Sequence, residues 1–330
     1  MSGVGGYAPA TVRALARTIR SRARRVQNRF RRASVILLYH RVAEGVADPW
    51  SLCVTPANFH AQAAVLAGRG VVPLDALADD LALGRRRRAL AVTFDDGYAD
   101  VATTAWPVLR AHAIPTTLFV STGTLDGGAE FWWDELERIV LGSPALPDSL
   151  WIDLGGEPFS WLPTSAGARR QLYFALHQRI GRLAVAVRTR VLADLRDWAG
   201  VPGGCRDTHR PLAADEVRAL ARESALHLGA HGVSHSYLGA LPADEQQREI
   251  QASKATLEAI AGAPVERFSY PHGDCAPRTV AYVRAAGFRL ACGTACAPVF
   301  TDADLFDLPR VEVPNLPGPA FARWLDEWVG

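Results

Sequence analysis

The chain has 330 residues, 49% of them hydrophobic and 21% charged, with a formal net charge of +2. A chain of that size and composition buries a substantial core without needing a metal or disulfide to fold, and it reads as a soluble globular protein. No apolar run approaches the ~20 residues of a membrane-spanning helix, and five widely spaced cysteines, Cys53, Cys205, Cys275, Cys292 and Cys296, lack the partners of a zinc knuckle or redox motif.

Free thiols in a reducing, cytoplasmic compartment are therefore expected. Residues 1–32 hold nine arginines and no Asp, Glu or Lys, which leaves the remainder net acidic. Val12, Leu15, Ile19, Val26 and Phe30 fall near helical spacing among those arginines. The segment fits a basic amphipathic helix lying on the inner membrane surface or on a polyanion as well as it fits a solvated tail. Specific nucleic-acid binding is not expected. The run Ser34 to Tyr39 is too short for a signal core and meets His40 and Arg41.

In chain order, short apolar runs predict strands at Val35 to Tyr39, Leu90 to Phe94, Thr116 to Val120, Leu226 to Ala230, Arg267 to Tyr270, Arg289 to Gly293 and Leu308 to Val313. Helical patterns fall between them at Asn58 to Ala67, Val101 to His112, Asp215 to Arg222, Asp244 to Ala261 and Pro277 to Ala286. Such alternation implies a parallel sheet, open or closed into a barrel. Arg85 to Arg88 read as a solvated loop. Between Val120 and Leu226 the spacing breaks: an insertion at about residues 126–215 carries "FWWDELERIV", a hairpin at Trp151 to Leu162 and a helical stretch from Thr164 to Ala199. After a barrel strand it would sit over the site face, where specificity belongs. A turn-rich connection from Pro314 to Pro319 leads to the last helix.

The chemistry lies at strand ends. "AVTFDDGY" ends the second predicted strand with Asp95, Asp96 and Gly97. Adjacent carboxylates repel, so one of the pair needs a cation, a proton or solvent. His231 and His235 follow the strand Leu226 to Ala230, and in a parallel barrel both clusters emerge at the same carboxyl-end face. Two histidines and a carboxylate suit a divalent ion with an open position for water. One Asp then ligates the cation, and its neighbour is free to accept a proton.

These residues resemble the polysaccharide deacetylases, the NodB-homology or carbohydrate esterase four family. "TFDDG" (Thr93 to Gly97) and the His231/His235 pair look like its first two motifs, and "FSYPHG" (Phe268 to Gly273) like its third. "ILLYHRV" and "DLPRVEV" are similar to the start and end of one subgroup. The resemblance implies a distorted (β/α)7-type barrel and metal-dependent removal of N-acetyl groups from amino sugars in a polysaccharide, oligosaccharide or glycoconjugate. By position, Asp96, His231 and His235 would hold the metal, with zinc favoured over Co, Mn or Ni, and Asp95 would be the general base. A backbone N–H, that of His272, would share the oxyanion.

The sequence also departs from the family, with Ser269 where Arg is common and His272 where Tyr is common, and without an evident late His-Asp motif to supply a general acid. His40 and His272 are the available acids, and Arg310 is placed to orient Asp95 in the missing arginine's stead. Tyr98, Trp132, Trp133 and Tyr270 are candidate sugar-binding faces, with burial as the competing role. Three alternatives stay open: an acetyl-ester hydrolase on carbohydrate, a non-haem iron enzyme using the same triad, and an inactive glycan- or membrane-binding barrel.

Overall fold

A computed structural model describes residues 33–45, 47–85 and 88–329. The arginine-rich segment 1–32, with its expected membrane or polyanion contact, and the middle of the Arg85 to Arg88 run lie outside the described residues. The strands are β1 Val35–Tyr39, β2 Arg41–Val42, β3 Cys53–Val54, β4 Leu90–Phe94, β5 Thr116–Val120, β6 Leu150–Asp153, β7 Pro158–Trp161, β8 Leu226–Ala230, β9 Arg267–Ser269, β10 Leu290–Cys292 and β11 Val311–Glu312. The helices are α1 Pro56–Ala67, α2 Leu74–Ala82, α3 Trp106–Ala111, α4 Trp132–Val140, α5 Ala166–Ile180, α6 Val185–Ala199, α7 Ala214–Leu220, α8 Ala243–Ala261, α9 Pro277–Ala285 and α10 Gly318–Val329. No helix among the described residues is long and apolar enough to cross a membrane, and none of the five cysteines is joined in a disulfide.

Seven strands form one parallel sheet in the order β10-β9-β8-β5-β4-β1-β11. β1, β4 and β5 are buried at every residue, which is why they read as unbroken apolar runs and not as alternating ones. The sheet curls until its edges meet on one short segment: Leu308 bridges to Cys292 of β10, and Val311 pairs with Leu37 of β1. This is a distorted (β/α)7 barrel. The expected strand at Leu308 to Val313 shortens to β11 because that segment is shared between two edges.

Helix α2 was not foreseen. Its Leu74, Leu77 and Leu81 pack with Ile36, Ala91, Phe119 and Leu290, and Asp75 and Asp79 are ion-paired with Arg267 and Arg289. The expected helix Val101 to His112 begins as one π-helical turn, Val101–Ala105, before α3.

The insertion has a core of its own. Phe131, Leu136, Ile139, Leu172, Leu176, Val191 and Leu195 from α4, α5, α6 and the residue preceding α4 close on one another. The expected hairpin forms as β6–β7, antiparallel. The helical stretch Thr164 to Ala199 breaks at residues 181–184 into α5 and α6.

Candidate metal centre and active site

Side chains alternate along a strand, and that parity aims the site inward. Ala91 packs in the barrel interior and Thr93 meets Arg310 there, so Asp95, two residues on, points the same way at the carboxyl end of β4. Asp96 then takes φ +71° and Gly97 φ +92°, left-handed conformations that cost an aspartate energy and a glycine little. A side chain at Gly97 would also press on Val120, 3.1 Å from where its Cβ would stand. The turn is held by the Asp95 N–H donating to the Tyr39 carbonyl and the Ser121 N–H to that of Asp96.

The histidine turn after β8 is fixed from α8. The Glu249 carboxylate accepts the N–H groups of Val233 and Ser234 at 2.8 and 2.9 Å and the Ser234 hydroxyl at 2.7 Å. His235 has φ +50°. Asp96, His235 and His272 are three of the five non-glycine residues with positive φ among those described, so backbone strain concentrates at this face.

Two imidazoles converge on one carboxylate. The Nε2 atoms of His231 and His235 lie 3.5 and 3.2 Å from Asp96 Oδ1, and one ligand-type atom from each of the three residues lies within 4.8 Å of the others. Those separations exceed a charge-assisted hydrogen bond. The two Asp96–imidazole distances match the edge, about 3.3–3.4 Å, of a tetrahedron with metal–ligand bonds of ~2.0–2.1 Å. The His231 Nδ1–H donates to the Ser269 carbonyl at 2.8 Å, which leaves the Nε2 lone pair facing Asp96. The residues present therefore fit a divalent cation.

Asp95 faces elsewhere. Both Arg310 guanidinium nitrogens grip its oxygens, at 2.6 and 2.5 Å, and the Ser269 hydroxyl adds a bond of 3.0 Å. Its nearest approach to His231 Nε2 is 3.9 Å. Ser269 is small where Arg is common, and Arg310 reaches across the barrel into that space, also donating to the Ser269 oxygen. Burial opposes charge on Asp95, but Arg310 and then His231 outweigh it and hold the carboxyl below its ordinary value. Asp96 lies well below it, the imidazole contacts overcoming burial. The His231 ring is raised, Asp95 and Asp96 outweighing burial, whereas burial keeps that of His235 lowered.

A cavity of about 380 Å³ opens above these groups. It is lined by Asp95, Asp96, His231, His235 and Arg310, and also by His40 and His272. Two of the candidate sugar faces are elsewhere. Tyr98 is 1% exposed and does not line the cavity; its hydroxyl donates to Asp134 and accepts from Trp133 Nε1. Trp132 is buried, with its ring over Gly181 and its Nε1–H on the His235 carbonyl. Both serve the packing of the insertion, which needed apolar mass more than a solvent-facing platform. Trp133 lies 4.3 Å from the His235 ring, and Tyr270 is anchored to the Phe306 carbonyl; both line the cavity while staying buried.

Among the further lining residues not singled out from the sequence are Trp50, His177, Tyr237 and Thr294. His177 comes from α5, and burial and then His235 push its ring down to about 4. No spacing rule links a helix histidine to strand ends far away in the chain, so only the fold brings it in.

The family model described as polysaccharide deacetylase matches residues 83–142 and 184–291, which contain the acidic doublet and both histidines. The chain belongs to the polysaccharide deacetylase family. It is a hydrolase of N-acetylated amino sugars, and the stretch between the matched parts holds the hairpin β6–β7 and α5. No curated protein matches it.

Among solved structures, this deacetylase is similar to the Streptococcus pyogenes deacetylase PplD in complex with acetate, at 16% identity and TM-score 0.57 over 88% of this chain and 97% of that one. It is also similar to IcaB from Ammonifex degensii, at 18% and 0.56 over 90% and 97%. A third is the putative polysaccharide deacetylase BA0330 from Bacillus anthracis, at 18% and 0.54 over 88% and 68%. At these identities the likeness is one of fold.

Proposed function

We propose that this deacetylase releases acetate from an N-acetylated amino sugar, with Asp96, His231 and His235 holding a divalent cation, zinc before Co, Mn or Ni, and with Asp95 as general base. One observation carries the reading: the doublet is divided, Asp96 facing two imidazole Nε2 atoms and Asp95 clamped by Arg310. When bound, a divalent cation supplies a Lewis acid for the acyl carbonyl and lowers the pKa of water.

The chain's own groups supply the rest. Asp95 takes a proton from the attacking water, whose oxygen bonds to the acyl carbon. The developing oxyanion is met by the His272 N–H, in a peptide turned by the residue's φ of +59°. The carbon–nitrogen bond then breaks, and the leaving nitrogen needs a proton. We assign that proton to His40, an imidazole outside the ligand set that lines the cavity and interacts electrostatically with both Asp95 and Asp96. Burial and neighbouring imidazoles push the His177 and His272 rings below their ordinary value, outweighing Asp96 at His272, which takes the His272 ring, though not its peptide, out of the acid role.

Acetate release by metal-loaded protein tests the reading. Asp95→Asn should retain metal and lose activity by about 10²–10⁴-fold, while His231→Ala should lose metal as well. An Asp95→Asn protein at full rate would remove Asp95 from the mechanism.

A further inference from the structure

The insertion does more than cover the site: α5 contributes His177 to the cavity wall and packs against the residues on either side of it. Trp50, from the loop between β2 and β3, donates its Nε1–H to the Tyr173 hydroxyl of α5 at 2.8 Å, and its ring lies 4.6 Å from that of His177 and 4.8 Å from that of Phe174. On the next side, Tyr237 stacks on His272 at 3.8 Å with an interplanar angle of 6°, under the Arg182 guanidinium at 4.6 Å. The end of α5 is wedged between these two walls. A Cβ at Gly181 would stand 2.9 Å from Tyr237 and 3.0 Å from Trp132. The exposed members of the lining, Trp50, Thr294, Cys296 and Glu312, leave a mouth on the side of β10, β11 and β1.

A sugar inside a polymer has a neighbour at each end and needs a groove that runs past the metal ligands in two directions. Here one direction ends on Trp50, His177 and Tyr237. The volume of about 380 Å³ is at the low end for a small-ligand pocket, ~300–1,000 Å³, enough for one sugar ring with its acyl group. Resting on the deacetylase reading above, we propose that the site accepts the N-acetylated sugar only as a chain end or as the single sugar of a glycoconjugate, entering between Trp50 and Glu312, and excludes residues in a chain interior. Trp50 and the α5 residues Tyr173 and His177 set that specificity. Tyr173 and His177 lie between the two stretches matched by the family model.

The test uses full-length, metal-loaded protein with β-linked pentamers of N-acetylglucosamine and N-acetylgalactosamine, end-labelled, and the methyl glycosides of both sugars. The position of each freed amine is read by fragmentation mass spectrometry. The expected result is acetate from the methyl glycosides and from one terminal residue of a pentamer. Interior residues should react at least about 10-fold more slowly, the discrimination that even a small misfit in a pocket imposes. Trp50→Ala should raise the interior share by about 10-fold by removing the bridge to α5. Interior deacetylation by the wild type, or an interior share untouched by Trp50→Ala, would overturn the proposal. Acetate from pentamers spread over all positions contradicts this inference alone, whereas acetate from neither kind of probe contradicts the deacetylase reading and this inference with it.

Discussion

Arg310 is fully enclosed beside Asp95, and a guanidinium with both arms on one carboxylate keeps that group ionised where burial alone would protonate it. The sign of the pH effect follows. A carboxyl whose folded pKa is depressed contributes stability above its unfolded value, about 4, and that contribution is lost as the pH falls through the lower folded value. Replacing Arg310 by Gln removes the largest opposition to burial, so the Asp95 pKa should rise and any acid limb of kcat/KM set by the base should move to higher pH. The variant should also lose about 3–5 kcal/mol in urea unfolding, because a buried charge has lost its partner. The double variant Asp95→Asn/Arg310→Gln should recover much of that stability and none of the activity. An R310Q protein with an unmoved pH–rate profile would show that the clamp does not govern the base.

Two elements hold the ligands from behind. α8 supplies Glu249, which gathers the turn carrying both histidines; Glu249→Ala should weaken metal binding about 10–100-fold, as loss of supporting hydrogen bonds does elsewhere, measured by competition with a chromophoric chelator. α4 supplies Trp133 against His235 and Asp134 beneath Tyr98. Burial, partly offset by the Tyr98 bond and Arg41, pushes the Asp134 carboxyl up to about 7. Its unfolded counterpart ionises near 4, so the folded chain binds the extra proton between those values and stability from this group falls as the pH rises from about 4 to 7. Asp134→Asn should therefore gain on the wild type in urea midpoint between pH 5 and pH 8. A difference constant with pH would contradict this.

At the scale of the molecule, a cation that binds only the folded chain stabilises it by about 2.7 kcal/mol at 100 times its Kd, and zinc should raise Tm by several degrees in the wild type and not in His231→Ala. The gain should fade on acidification sooner than for an ordinary imidazole, since Asp95 and Asp96 raise the His231 pKa against burial and a proton competes with the metal at Nε2. Much of the barrel was legible because strands buried on both faces announce themselves as apolar runs, and TFDDG with the paired histidines pointed to the candidate site at two strand ends. Arg310 was legible through its place beside the last strand. Helix α2 was not, being a short segment whose apolar face packs on Ile36 and Leu290 far away in the chain. Nor were the walls set by Trp50 and His177, since each touches the cavity only after the insertion has folded back over the barrel. Tyr98 and Trp132 have the residue types of sugar platforms and were taken up by packing, which sequence alone does not separate from binding.

Anomalous diffraction at the zinc edge from crystals of the metal-loaded protein tests the division of the doublet most directly. The account predicts one ion bonded at about 2.0–2.2 Å to an Asp96 carboxylate oxygen and to Nε2 of His231 and His235, with Asp95 still gripped by Arg310 and off the metal. An ion ligated by Asp95, or seated away from both histidines, would contradict it.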